Sequence, residues 1–137
     1  MDMTATITRN KPFTDSTDSL LRFAMRLDAT LTGIVGLGIA AMADPLTRLT
    51  GLTAAQGYIA GAAFVLCGLV VYGLAASPDL HRVGTGMAVF NAAGTLCVLA
   101  VAVAGVLPLI VAVAAGLYTA TFAVLQYLGI RRLKEYS

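Results

Sequence analysis

The chain has 137 residues, of which 58% are hydrophobic and only 12% are charged. Soluble domains carry about 25% charged residues, so this chain has too few charged groups to cover a water-facing surface. Its net charge of +2 at pH 7 is too small to favour a nucleic-acid partner. The composition predicts an all-α integral membrane protein surrounded by the lipid bilayer.

The two ends of the chain differ from its middle. Residues 1–19 are polar and rich in Thr and Asp, and we expect a flexible segment there. Residues 131–137 form a short basic tail that we expect to be cytoplasmic. Residues 20–130 lie between these ends and form the predicted transmembrane domain, a four-helix bundle.

Four apolar stretches fill this domain, and each is close to the ~20 residues that a membrane-spanning helix requires. The uncharged region between Arg82 and Arg131 is long enough for two spans. It breaks between Gly105 and Pro108, because proline has no backbone donor and suits a connection or a first helical turn. The predicted spans cover about residues 21–42, 55–76, 83–104 and 107–128.

The basic residues divide unevenly between the two sides that four spans define. Only Arg48 lies on one side. The others share the opposite side: Arg9, Lys11, Arg22, Arg26, Arg82, Arg131, Arg132 and Lys134. The positive-inside rule then predicts a multi-pass protein of a bacterial inner (plasma) membrane with both termini in the cytoplasm. We interpret six of these residues as inner-leaflet anchors: Arg22, Arg26, Arg82, Arg131, Arg132 and Lys134.

The sequence Ala41-Met42-Ala43 resembles the A-x-A cleavage site of a signal peptide. The region before it is long and contains Asp15, Asp18 and Asp28, which signal peptides disfavour. We therefore expect this segment to remain as the first span.

The sequence contains no recognisable catalytic or metal-binding motif. It lacks a Ser-His-Asp pattern, H-E-x-x-H, a phosphate loop and a conspicuous carboxylate pair. Cys67 and Cys97 lie in apolar stretches without a C-x-x-C motif or a nearby histidine, which indicates packed free thiols. We predict no enzymatic activity, no cofactor and no bound metal.

Small residues predict how the helices pack. Lipid tails are as apolar as leucine, so spans associate largely through close approach at Gly and Ala. Gly57 and Gly61 form a G-x-x-x-G motif in the second span, and we also assign packing roles to Gly33 and Gly116. These glycines are interpreted as contacts within the bundle. A dimer interface at Gly57 and Gly61 is the alternative.

Asp28 is the sharpest local signal. Only about 22 Å of helix separates it from Asp44, whereas the hydrocarbon core is about 30 Å thick, so Asp28 lies inside the membrane. It therefore needs polar partners, a proton or a water-filled cavity. Counted from the cytoplasmic ends of the spans, three polar residues reach a similar depth, and with Asp28 they form a candidate intramembrane polar site: Asn91, Tyr72 and Gln126.

Two interpretations of this site are open. It is either a satisfied structural network that fixes helix order, or a small cytoplasm-facing cavity in which Asp28 binds a cation or proton, or orients a substrate. The first interpretation favours a non-enzymatic scaffold or accessory subunit that binds itself or another membrane protein. The second favours a small proton-coupled transporter. A lipid- or quinone-binding membrane enzyme is a further alternative.

The segment from Leu20 to Gly33 contains L-R-x-x-x-R-L-D-x-x-x-T-G, and a D-P-L-x-x-L-x-G-L turn begins at Asp44. Residues 20–52 resemble small actinobacterial four-helix membrane proteins of unassigned function, and the hydropathy pattern is loosely similar to the DoxX-like group. The resemblance implies a fold and a location more than an activity. It draws attention to Arg22, Arg26, Asp28 and Gly33.

Overall fold

The structure is a computed structural model, and it describes residues 18–105 and 108–135. Most of the predicted flexible segment, residues 1–19, lies outside this range, as do Arg9, Lys11 and Asp15. The last two residues of the basic tail and the expected start of the fourth span at Leu107 also lie outside it.

Five α-helices account for nearly all of the described residues. They are α1 (Ser19–Ala41), α2 (Ala43–Thr50), α3 (Ala54–Leu74), α4 (Leu80–Val103) and α5 (Leu109–Glu135). Four of them, α1, α3, α4 and α5, are long and apolar enough to cross a membrane. The predicted all-α four-helix membrane bundle is confirmed. The short helix α2, which lies in the connection between the first two spans, was not predicted.

Local sequence explains where several helices begin and end. Thr53 and Gln56 form a reciprocal capping box at the start of α3, which satisfies backbone donors that have no intrahelical partner. The side chain of Asp79 accepts a bond from the Arg82 backbone N–H at the start of α4. Helix α2 is terminated by the C-cap residue Gly51, whose φ of 72° lies in the left-handed region that glycine adopts without strain.

The last helix extends further than the predicted span. Residues Arg131 to Glu135 continue α5 instead of forming a separate tail. Ile130 belongs to an apolar cluster with Leu21, and Leu133 packs against that cluster. This contact holds the last turns of α5 against α1, which explains why the helix continues beyond the apolar stretch.

The bundle consists of two helix pairs joined along α1. Helix α1 packs most extensively on α3, α4 packs on α5, and the contact between α1 and α5 joins the pairs. Buried residues from α1, α4 and α5 meet the residue that follows α3 at one end of the bundle: Leu21, Met25, Ala75, Leu80 and Ile130. The start of α1 and the end of α5 therefore lie at the same end.

Glycines allow α3 to approach α1 closely. A Cβ added to Gly61 would lie 2.6 Å from the carbonyl oxygen of Gly36, and one added to Gly68 would lie 2.6 Å from that of Ala29. Real Cβ atoms do not come this close to a backbone oxygen, so both positions require glycine while the helices remain in place. The approach is the small-residue packing typical of membrane helices.

The outcome differs among the four predicted packing glycines. Gly57 and Gly61 face Ala43 of α2 and residues of α1, so the chain itself fills the space beside both glycines. The backbone of Gly33 lies against Gly68, although its own missing Cβ would point into open space. Gly116 faces α4 less closely. A Cβ there would make only an ordinary contact with Val98 at 3.9 Å.

Candidate functional site

Asp28 lies on the inward face of α1. The buried residues of this helix recur at helical spacing and include Leu21, Met25, Asp28 and Gly36. Only 4% of Asp28 is exposed. A carboxyl group at this position has lost its water and requires hydrogen-bond partners from the protein.

Two amide side chains bind one oxygen of the carboxyl group. Asn91 of α4 donates from Nδ2 to Asp28 Oδ2 at 2.9 Å, and Gln126 of α5 donates from Nε2 to the same oxygen at 3.0 Å. Asn91 Nδ2 also donates to Gln126 Oε1 at 3.1 Å. The three side chains form a closed triangle that joins α1, α4 and α5.

Two hydroxyl groups approach the other carboxyl oxygen. Tyr118 of α5 lies 2.9 Å from Asp28 Oδ1 and 3.0 Å from the Asp28 carbonyl oxygen. Thr32 lies 3.0 Å from the Tyr118 hydroxyl and 3.4 Å from Asp28 Oδ1. The phenol has one proton, so the simplest arrangement has Thr32 donating to Tyr118 and Tyr118 donating to Asp28.

A second polar contact lies next to the triangle. The hydroxyls of Thr95 and Thr119 are 2.8 Å apart and link α4 to α5. Thr95 also donates to the carbonyl oxygen of Asn91 at 3.0 Å. This contact continues the polar layer by one helical turn, because Thr95 follows Asn91 by four residues.

The network is satisfied by the chain itself. Asn91, Gln126 and Tyr118 can all donate to the carboxyl group of Asp28, and about four lone-pair positions are available on a carboxylate. No ion pair involves Asp28 within residues 18–105 and 108–135. Across the same residues, no buried side-chain nitrogen or oxygen lacks a hydrogen-bond partner. A charge on Asp28 is therefore compensated by neutral donors.

The structure brings together three of the four residues predicted for the polar site, namely Asp28, Asn91 and Gln126. The placement of Tyr72 in this group was wrong. Its side chain is 51% exposed on α3, and its ring lies 5.9 Å from the guanidinium carbon of Arg26. Depth along a helix was estimated correctly for Tyr72, but the direction in which its side chain points was not.

Tyr118 and Thr32 belong to the network and were missed. Their four-residue spacing from other members of the network could have identified them, whereas depth alone could not. Thr32 follows Asp28 by four residues, and Tyr118, Phe122 and Gln126 follow one another at four-residue intervals, so each set shares a helix face. The rings of Tyr118 and Phe122 also pack together, with centroids 4.8 Å apart.

Arg22, one of the predicted inner-leaflet anchors, is bound within the chain through two of its nitrogens. Its Nη1 donates to the carbonyl oxygens of Ala75 at 2.8 Å and Ser77 at 3.2 Å, and its Nε pairs with Asp18 at 2.9 Å. The carbonyls at a helix C-terminus lack intrahelical donors and carry partial negative charge. Arg22 is therefore a cap for α3. The remaining predicted anchors are exposed: Arg26, Arg82, Arg131, Arg132 and Lys134.

Comparisons with protein-family models, with curated proteins and with solved structures found no match. The four apolar spans define the class: a multi-pass, membrane-embedded protein. The resemblance to the actinobacterial proteins stays a prediction.

Proposed function

We propose that this protein is a non-enzymatic membrane module, a scaffold or accessory subunit, that binds another membrane component. The proposal rests on the observation that donors of the chain itself already bind the carboxyl group of Asp28. Asp28 is the only acidic residue in the described spans apart from Glu135 at the end of α5. Three donors of its own chain bind its carboxyl group, from Asn91, Gln126 and Tyr118. A substrate or cation would have to displace these donors.

The connectivity of the network supports a structural role for the same residues. It ties together α1, α4 and α5, whereas α3 is held by glycine contacts. Interhelical hydrogen bonds fix helix order and register in a medium that provides no competing water. The polar residues of the spans thus serve the architecture of the bundle, which leaves association as the simplest activity.

Cross-linking within native membranes tests this proposal. A photoreactive aromatic amino acid replaces Leu96 of α4, which is 69% exposed, and in a matched control it replaces Phe122 of α5, which is 4% exposed. We expect one adduct of defined mass from position 96 at close to stoichiometric yield and none from position 122. Cross-links only to lipid, and a chain that native mass spectrometry finds alone, would contradict the proposal.

We also propose that both termini lie in the cytoplasm. The described ends share one end of the bundle, and six of the seven described basic residues lie towards that end: Arg22, Arg26, Arg82, Arg131, Arg132 and Lys134. The positive-inside rule supports this orientation. In a variant with Cys67 and Cys97 replaced by serine, a membrane-impermeant maleimide should label R48C in intact cells and K134C only after permeabilisation. The reverse pattern would refute the orientation.

The lone buried acid favours a second candidate, a small proton-coupled transporter. The supporting observation is that Asp28 has no cation partner among the described residues, while two hydroxyls adjoin its carboxyl group. Such a transporter, reconstituted in liposomes, should release protons when a substrate is added. Asp28→Asn should abolish that release, whereas proton release that persists in Asp28→Asn would exclude this role for the acid.

A further inference from the structure

A cleft of about 400 Å³ opens at the beginning of α1 and takes no part in the polar network. Its lining consists of Asp18, Ser19, Arg22, Phe23 and Arg26. Among the described residues that line it, two arginines and one aspartate give the cleft one excess positive charge. It lies at the end of the bundle where α1 begins and α5 ends.

The first arginine of the cleft is held in a fixed position. Arg22 is bound through Nε to Asp18 and through Nη1 to the carbonyl oxygens of Ala75 and Ser77, which directly follow α3. Neither set of contacts uses Nη2. The guanidinium group is planar and rigid, so fixing two of its nitrogens also fixes the direction of the third. Arg22 therefore presents a donor whose orientation is already set.

The second arginine supplies the uncompensated charge. Arg26 follows Arg22 by four residues and lies on the same face of α1. It is exposed, and it forms no ion pair with any described residue. Its guanidinium group lies 5.9 Å from the centre of the Tyr72 ring, a distance at which the ring attracts a cation and limits its movement.

Exposed aromatic rings adjoin these cations. Phe23 lies between the arginines in sequence and is 61% exposed, and Tyr72 is 51% exposed. Paired guanidinium groups bind phosphate oxygens well, and exposed rings at the end of a span suit the boundary between headgroups and acyl chains. We propose that the cleft binds the headgroup phosphate of an anionic phospholipid, with Arg22 and Arg26 contacting the phosphate and Phe23 contacting the acyl chains.

The same features favour a lipid over a soluble phosphate, and an anionic lipid over a zwitterionic one. A soluble phosphate would gain nothing from Phe23. A zwitterionic headgroup carries an amine that compensates its own phosphate, and this reduces its attraction to a cleft with a single excess positive charge. The proposal involves no partner protein and is independent of the role of Asp28.

Lipid titration followed by native mass spectrometry tests the site. The whole protein in a neutral detergent is titrated with phosphatidylglycerol, with phosphatidylcholine of the same acyl chains, and with glycerol 1-phosphate. We expect phosphatidylglycerol to bind with a defined stoichiometry and at least about tenfold more tightly than the other two. Arg26→Gln should weaken its binding by about tenfold or more, the effect expected when a charge-assisted contact is lost.

Arg132→Gln is the matched control, because it removes the same charge from an exposed position on α5 at the same end of the bundle. Its affinity for phosphatidylglycerol should stay within about twofold of the wild type. Equal weakening by both substitutions would show diffuse attraction and overturn the site. Equal binding of glycerol 1-phosphate, with the same dependence on Arg26, would overturn the lipid in favour of a soluble phosphate. Circular dichroism checks that both variants fold.

Discussion

Replacing Asp28 by alanine or by asparagine distinguishes a structural role of the polar network from a requirement for the negative charge. Alanine removes the hydrogen-bond acceptor, whereas asparagine keeps an acceptor and removes the charge. Asp28→Ala removes the acceptor that Asn91 and Gln126 share. Asn91 keeps its bond to Gln126 Oε1, and Tyr118 keeps the main-chain carbonyl of residue 28. One N–H of Asn91 and one of Gln126 are then left without an acceptor in the interior.

The size of this effect follows from the number of orphaned donors. A buried donor without a partner costs about 1–3 kcal/mol in soluble proteins, whereas interhelical hydrogen bonds in a membrane protein average about 0.6 kcal/mol. For two amide donors we expect Asp28→Ala to lower the free energy of unfolding by about 2 kcal/mol.

Asp28→Asn should cost much less. The new amide can turn its oxygen towards Asn91 and Gln126 and its NH₂ group towards Tyr118 and Thr32, whose hydroxyl oxygens can accept. We expect a loss below about 1 kcal/mol, because the substitution keeps a partner for every buried donor.

Reversible unfolding of the purified protein in mixed micelles, by increasing the fraction of sodium dodecyl sulfate, measures both losses. An Asp28→Ala variant as stable as the wild type would refute the account of the network as a stabilising structure. An Asp28→Asn variant as unstable as Asp28→Ala would show that the negative charge itself is required, which the observed neutral donors do not explain.

Three further substitutions test separate parts of the structure. Gly61→Ala places a Cβ 2.6 Å from a carbonyl oxygen of α1 and should lower the free energy of unfolding by about 1–3 kcal/mol through overpacking. The control Gly73→Ala places a Cβ where no neighbouring element lies within 4 Å and should not lower it. Equal losses in the same unfolding assay would refute this packing. Tyr118→Phe should lower the free energy of unfolding by about 1 kcal/mol. Tyr127 is 56% exposed, so Tyr127→Phe should change it little. A larger loss in Tyr127→Phe than in Tyr118→Phe would contradict the network. Arg22→Gln should accelerate hydrogen exchange in the last turn of α3 and the following connection but not in α2, because it removes the cap. Unchanged exchange at the end of α3 would show that the cap is unnecessary.

The sequence alone determined the class of the protein and the number of its spans. An isolated span must satisfy its backbone donors and acceptors within its own helix, so a long apolar stretch predicts a helix whatever its neighbours do. That is why four helices were predicted close to their observed positions. Helix α2 was not predicted because this eight-residue amphipathic segment contains no long apolar stretch.

Depth in the membrane was also accessible from sequence, and it placed Asp28, Asn91 and Gln126 at a common level. Tyr72 shows the limit of that reasoning. Depth depends on a count of residues along one helix, whereas the direction of a side chain around the helix depends on which neighbour the helix packs against. Only the packing of α1 on α3 and α5 decides that Tyr72 faces outward.

The tertiary structure alone decided the partners. Tyr118 reaches Asp28 across 90 positions of the chain, and Arg22 reaches a carbonyl 53 positions away. Both contacts exist because the helices are brought together by close approach at glycine and by the need of buried polar groups for partners. The sequence of a single helix shows that a close approach or a polar partner is needed, but it does not specify which residue of another helix provides it.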